Sequence, residues 1–114
     1  MVVKSQDYVV KQDTPIRLKV RIGDRQAGGT AVTLNGSPIS LDPAGEAPIG
    51  ELGQNLRGGV LVCLTVVKDI NPDTNNTSVV HQLLGGEVDK DFSYAASVPA
   101  DGATEIYMIT YFLQ

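Results

Sequence analysis

Thr14-Pro-Ile-Arg-Leu-Lys-Val-Arg-Ile22 decides the reading of this chain. Successive side chains of an extended strand point to opposite faces, so Ile16, Leu18, Val20 and Ile22 share one face and Arg17, Lys19 and Arg21 the other. Such strict alternation describes a strand with one face buried and one in water. Gly23-Asp24 ends it. Gly28-Gly29 marks a loop, residues 30–34 form a second strand, and Asn35-Gly36 is the favoured pair for a two-residue type I′ hairpin turn. Residues 37–41 return as a short strand, which Pro38 confines to a sheet edge because proline cannot donate to a ladder.

Residues 42–59 hold seven Gly or Pro positions in eighteen and read as a long loop, with at most one helical turn at residues 51–56. Beyond it Pro72, Gly85-Gly86, Pro99 and Gly102 divide the chain into four segments of 12 residues, 60–71, 73–84, 87–98 and 103–114. Strand signals with turns at this spacing belong to a sandwich or a small barrel. Eight strands are expected, near residues 2–10, 15–22, 30–34, 37–41, 60–68, 78–84, 91–98 and 104–113. The expected fold is all-β: an antiparallel two-sheet β-sandwich, immunoglobulin-like or jelly-roll rather than a closed barrel, occupying residues 1–114 as a single domain.

Composition agrees with that reading. Val, Ile and Thr number 14, 7 and 8 among 114 residues, and 12 Gly and 6 Pro are spread along the whole chain, which leaves no room for long helices. Hydrophobic residues make up 42% and charged residues 19%, too apolar a balance for a disordered chain. The net charge of −4 disfavours nucleic acid and anionic membrane as partners. Charge is unevenly placed. Residues 1–25 carry Lys4, Lys11, Arg17, Lys19, Arg21 and Arg25 against Asp7, Asp13 and Asp24, whereas the rest of the chain has three basic and ten acidic groups. Opposite charge in the two segments suggests a meeting within the fold or across a subunit boundary. No apolar stretch approaches the roughly 18 residues of a membrane-spanning helix, and the first residues lack the apolar centre of a signal peptide.

Motifs that carry chemistry are scarce. Cys63, the only cysteine, excludes an internal disulfide and reads as a small core residue. His81, the only histidine, stands near no nucleophile elbow and reads as structural. Asp69-Ile-Asn-Pro-Asp-Thr-Asn75 spaces oxygen-bearing side chains like a calcium loop. The glycine and glutamate of an EF-hand are replaced by Thr74 and Val80, so a hairpin loop built on Asx and proline turns is the expectation. The glycine pairs at 28–29, 58–59 and 85–86 lack the context of a phosphate-binding loop. With no Trp, an aromatic sugar platform is weakly supported, and Tyr107, Tyr111 and Phe112 read as packing residues. No catalytic residue, cofactor or metal is expected.

Two segments are apolar on both faces. In 60–67, Val60, Val62, Leu64 and Val66 oppose Leu61, Cys63 and Val67; in 106–113, Ile106, Met108 and Phe112 oppose Tyr107, Ile109, Tyr111 and Leu113. A two-layer sandwich buries one face of each sheet, so the second needs a cover, either the 42–59 loop or a partner. The expected function is a non-enzymatic binding or assembly module, of the kind found in bacterial surface, secretion or virion-like structures, acting as a homo-oligomer or with a protein partner. Leu61, Cys63, Val67, Ile109, Tyr111 and Leu113 are the expected oligomer interface. Arg17, Lys19 and Arg21 form a second candidate site, for an anionic ligand or an interface. Glu87, Asp89 and Asp91 repeat at the same spacing; two solvated faces that never meet are the first expectation, and two rows lying side by side, within a subunit or across an interface, the second. A lectin-like binder of carbohydrate or another anionic ligand is the first alternative, and a small hydrolase the second.

Overall fold

The computed structural model describes residues 1–114 and contains nine strands: β1 (Val2–Tyr8), β2 (Ile16–Ile22), β3 (Ala27–Leu34), β4 (Ser37–Ile39), β5 (Glu46–Gly50), β6 (Val60–Lys68), β7 (Asn76–Leu84), β8 (Lys90–Ser97) and β9 (Thr104–Leu113). They form a five-stranded sheet in the order β1-β9-β6-β3-β4 and a four-stranded sheet in the order β5-β2-β7-β8. The result is an all-β two-layer sandwich without a closed barrel. No helix is long and apolar enough to cross a membrane.

The alternation of β2 holds. Ile16 and Leu18 are fully buried, Val20 nearly so and Ile22 half-buried, while Arg17 and Arg21 are exposed. Asn35 and Gly36 both adopt positive φ, 51° and 84°, as a type I′ turn requires, and β4 is the edge its proline implied. Only the β3–β4 and β7–β8 connections join neighbours in one sheet; the other six cross between layers. One core therefore gathers side chains from both sheets, with Leu61, Val67, Ile109 and Leu113 meeting Ile16, Leu18, Val79 and Leu83.

Four expectations need correction. Residues 42–59 are not a structureless loop. They contain β5, paired with β2 through Leu18↔Ala47 and Lys19↔Glu46, and a 3₁₀ turn at Gly53–Leu56. Pro48 disguises this strand, yet proline is tolerated at an edge, which is where β5 lies. Gly28-Gly29 lies inside β3 rather than before it. A side chain at Gly28 would collide with the Val66 carbonyl of β6, so the ladder needs glycine there. The pairing is not wholly antiparallel: β1 runs parallel to β9, from Val2↔Tyr107 to Tyr8↔Leu113. A parallel pair needs a long connection, which the intervening strands supply. The 69–75 loop is no hairpin but an arch from one sheet to the other.

Gly85 closes the β7–β8 turn at φ 93°, packed against the Pro15 carbonyl. Gly85→Ala meets both a disfavoured backbone and a collision, and is expected to destabilise the protein by about 2 kcal/mol or more. Gly29→Ala, which meets nothing nearby, should change stability by less than about 1 kcal/mol. Urea unfolding of the two variants tests this; equal losses would contradict it.

Candidate interaction face and buried polar network

The outward residues of the five-stranded sheet form rows across the strands. Val3, Met108, Leu64 and Ala31 make one row; Ser5, Thr110, Val62, Thr33 and Pro38 the next; Ile106, Val66 and Gly29 lie on the other side. Leu64, Val66, Ile106 and Phe112 are between 36% and 41% exposed, large for apolar side chains in the middle of a sheet. Charge occurs only at the ends, Asp7 opposite Phe112 at one and Lys68 opposite Thr104 at the other. The 42–59 stretch does not cover this face: its strand β5 pairs with β2 in the other sheet, and Gly58 and Gly59 bond Leu113 at the end of β9.

The residues expected at an oligomer interface point the other way. Leu61, Cys63, Val67, Ile109, Tyr111 and Leu113 are at most 1% exposed and fill the sandwich core. The outward set is Val60, Val62, Leu64, Val66, Ile106, Met108 and Phe112, and Phe112 is not a packing residue of this core. Hydrophobicity alone could not choose, since both faces of β6 and β9 are apolar. Polar side chains make the difference. Thr77 Oγ1 donates to the Ala96 carbonyl at 2.7 Å and accepts the Tyr107 hydroxyl at 2.6 Å. Tyr111 Oη lies 2.8 Å from His81 Nδ1 and 3.1 Å from Tyr94 Oη. These hydroxyls find partners only across the core, so Tyr107 and Tyr111 point inward.

His81 is fully buried and its Nε2 has no partner. With the proton on Nδ1, donated to Tyr111, the orphan is a lone pair rather than an N–H, which is the less costly omission. Burial lowers its pKa to about 4, so the ring is neutral at pH 7. Burial pushes the Cys63 thiol up to about 12, which leaves almost no thiolate to act as a nucleophile. None of the three surface depressions is lined by either residue. One of them, about 310 Å³, opens between the layers beside Val20, Ile22, Gly28 and residues 41–45; its one carboxylate, Asp42, already accepts the N–H groups of Ala44 and Glu46.

Arg17, Lys19 and Arg21 stand on the outer face of the four-stranded sheet. They line no depression. Lys19 Nζ pairs with Glu46 Oε1 at 3.1 Å, a partner carried by β5, the strand that Pro48 disguises. The acidic row is not a row on a strand. Glu87 and Asp89 lie in the β7–β8 turn, where Asp89 accepts the Gly85 N–H, and only Asp91 joins the sheet, separated from Lys19 by Gln82. The two outer faces thus differ: the smaller sheet sets Arg17, Lys19, Arg21, Glu46 and Asp91 around the half-buried Val80 and Leu84, whereas the larger sheet is apolar apart from Ser5, Thr33 and Thr110 and carries charge only at its ends.

Comparison with known proteins gives no relative: no family model matches the chain, and neither a curated protein nor a solved structure matches it.

Below pH 6.5 an unfolded histidine binds a proton that buried His81 refuses until about pH 4. Its contribution to stability is therefore complete above pH 6.5 and lost as pH falls toward 4, about 2 kcal/mol between pH 7 and pH 5. Unfolding at both pH values should show this loss in the native protein and not in His81→Gln. An equal pH dependence in the variant would contradict the assignment.

Proposed function

We propose that this protein is a non-catalytic assembly module, which works by burying the outer face of its five-stranded sheet against a second copy of itself. The observation that carries the reading is the contrast between the two outer faces, one studded with Arg17, Lys19, Glu46 and Asp91, the other free of charge between Asp7 and Lys68. Contiguous apolar surface of this kind marks a site of association.

Size supports it. Strands β1, β9, β6 and β3, about 4.8 Å apart and about 8 residues long at about 3.3 Å each, present roughly 500 Å² in projection. Two copies stacked face to face bury roughly 1,000 Å², about the minimum for a specific interface. Charge placement supports a second copy in particular. A two-fold axis lying across the strands sets the Asp7 end of one face over the Lys68 end of the other. Such a pairing is isologous and closes as a dimer. Pairing through the β4 and β5 edges is hindered by Pro38 and Pro48.

The buried state of His81 and Cys63 argues against either as a catalytic group, and the single ion pair of the basic row makes a lectin-like or anion-binding site the weaker alternative.

Light scattering at micromolar concentration should give a mass above the 12.1 kDa of one chain. Leu64→Glu, outward and 36% exposed, should return a folded monomer with stability within about 1 kcal/mol of a monomeric reference. A native protein that is monomeric at every concentration tested would refute the proposal.

A further inference from the structure

The sandwich is one strand short along one side. Phe92 and Tyr94 of β8 pack on Tyr111 of β9, with the Phe92 and Tyr111 ring centroids 5.0 Å apart and the two tyrosine hydroxyls at 3.1 Å. β1 flanks β9 at the edge of the five-stranded sheet, whereas β8 is the last strand of the four-stranded one. β1 therefore overhangs β8 with no further strand beneath it. Its inward residues show the gap. Val2, Lys4 and Gln6 share a face with Tyr107, Ile109 and Tyr111, which are fully buried. Lys4 is nevertheless exposed, Val2 is half-buried, and so is Gln6, whose side chain reaches back to the Tyr94 hydroxyl.

Below the overhang the edge of β8 is open. The Val98 N–H donates to the Asn75 carbonyl at 2.9 Å, which fixes the phase of the antiparallel ladder. Lys90, Phe92, Tyr94 and Ala96 bond β7, so Asp91, Ser93, Ala95 and Ser97 turn their N–H and C=O groups away from it. Those four residues are exposed, and no other strand lies beyond them. The guards that natural edges carry are missing here. β4 and β5 hold Pro38 and Pro48, whereas β8 has no proline and its only charges, Lys90 and Asp91, stand at its start. At that end a hollow of about 120 Å³ opens between Tyr8 and Lys90, with Asp7 and Glu87 in its lining. Val9 and Val88, 44% and 67% exposed, give it apolar walls. Lys4, in the overhang, belongs to neither of the two ion pairs.

We propose that this groove takes an extended segment of a protein partner, which adds to β8 as a fifth strand of the smaller sheet beneath β1. The four free N–H and four free C=O groups of β8 hold its backbone, and the side chains it turns inward are chosen by what they meet. Those that lie against Val2, Phe92 and Tyr94 are apolar; the one that reaches Lys4 is acidic. A second folded copy does not fit. A two-fold axis joining two β8 edges would drive the two overhanging β1 strands into each other. The groove opens between the sheet edges, away from the outer face of the five-stranded sheet, so either can be filled without the other.

Amide hydrogen exchange on the full chain tests this, with capped synthetic nonapeptides as probes: threonine alternating with valine, one central valine replaced by glutamate or by lysine. In the free protein the amides of Ser93 and Ala95 should exchange about tenfold or more faster than those of Phe92 and Tyr94, which bond β7. The glutamate peptide at saturation should slow Ser93 and Ala95 by about tenfold or more, and the lysine peptide should bind about tenfold more weakly. Lys4→Glu, a change at an exposed position, should reverse that order. Leu64→Glu, on the outer face, should leave peptide binding unchanged whether or not that face self-associates. Slow exchange of Ser93 and Ala95 in the free protein would show the edge already covered, by a second copy if protection grows with protein concentration, and would overturn the proposal. So would a failure of both peptides to slow these amides, or an equal affinity for the two peptides in both the native protein and Lys4→Glu.

Discussion

The fold depends on the antiparallel ladder between β6 and β9, nine residues long from Val60↔Phe112 to Lys68↔Thr104. These strands occupy the middle of the larger sheet, and both are apolar on both faces. In most sheets a slip of one residue moves apolar groups into water and is rejected on that ground. Here such a slip would exchange one apolar face for another. Specificity has to come from elsewhere, and it comes from hydroxyls. Tyr107 and Tyr111 reach Thr77 and His81 across the core, and Thr65 meets Thr30 at 2.9 Å within the sheet. Turned outward, the tyrosines would leave Thr77 without one of its partners and His81 without its only one, a loss of about 1–3 kcal/mol for each buried group. A buried polar network thus selects one face where hydrophobicity is indifferent. Tyr8 does the same at the edge, its hydroxyl accepting the Gly86 N–H at 2.9 Å and tying β1 to the β7–β8 turn.

Spending apolar residues on both faces of β6 and β9 has a consequence for behaviour. The smaller sheet turns Arg17, Lys19, Arg21, Gln82 and Asp91 to water around the half-buried Val80 and Leu84. The larger sheet turns out valine, leucine, isoleucine, methionine and phenylalanine. A sandwich that only had to fold would gain solubility from polar residues at these positions. Their presence supports the proposed pairing of this face with a second copy. The loops that arch between the sheets lie at the ends of the strands rather than over this face.

The legible parts of the structure were those written in local chemistry. Alternation in β2 is unambiguous because charged and branched side chains take turns without exception, and Asn35-Gly36 is read from backbone preference alone. Where two effects compete, sequence reasoning gave the wrong answer for a physical reason. Pro48 and the glycines around it conceal β5 because propensity does not know that an edge tolerates proline, and with β5 went Glu46, the true partner of Lys19. Gly28-Gly29 reads as a turn until the closeness of Val66 is known. The faces of β6 and β9 were separated correctly but assigned the wrong way round, since the deciding hydrogen bonds run between residues 30 positions apart. The 69–75 loop is singled out in sequence; Asp101 and Gln26 carry no signal, because only the fold brings them against it.

The proposed meeting of two copies through the outer face of β6 and β9, not the inner one, has a direct test. Isotope-filtered nuclear Overhauser spectroscopy on a mixture of labelled and unlabelled protein measures it directly. The account predicts intermolecular contacts from the methyl groups of Leu64, Val66, Ile106 and Met108 and none from Leu61 or Ile109. Intermolecular contacts from Leu61 or Ile109, or a complete absence of contacts from the outer four, would contradict it.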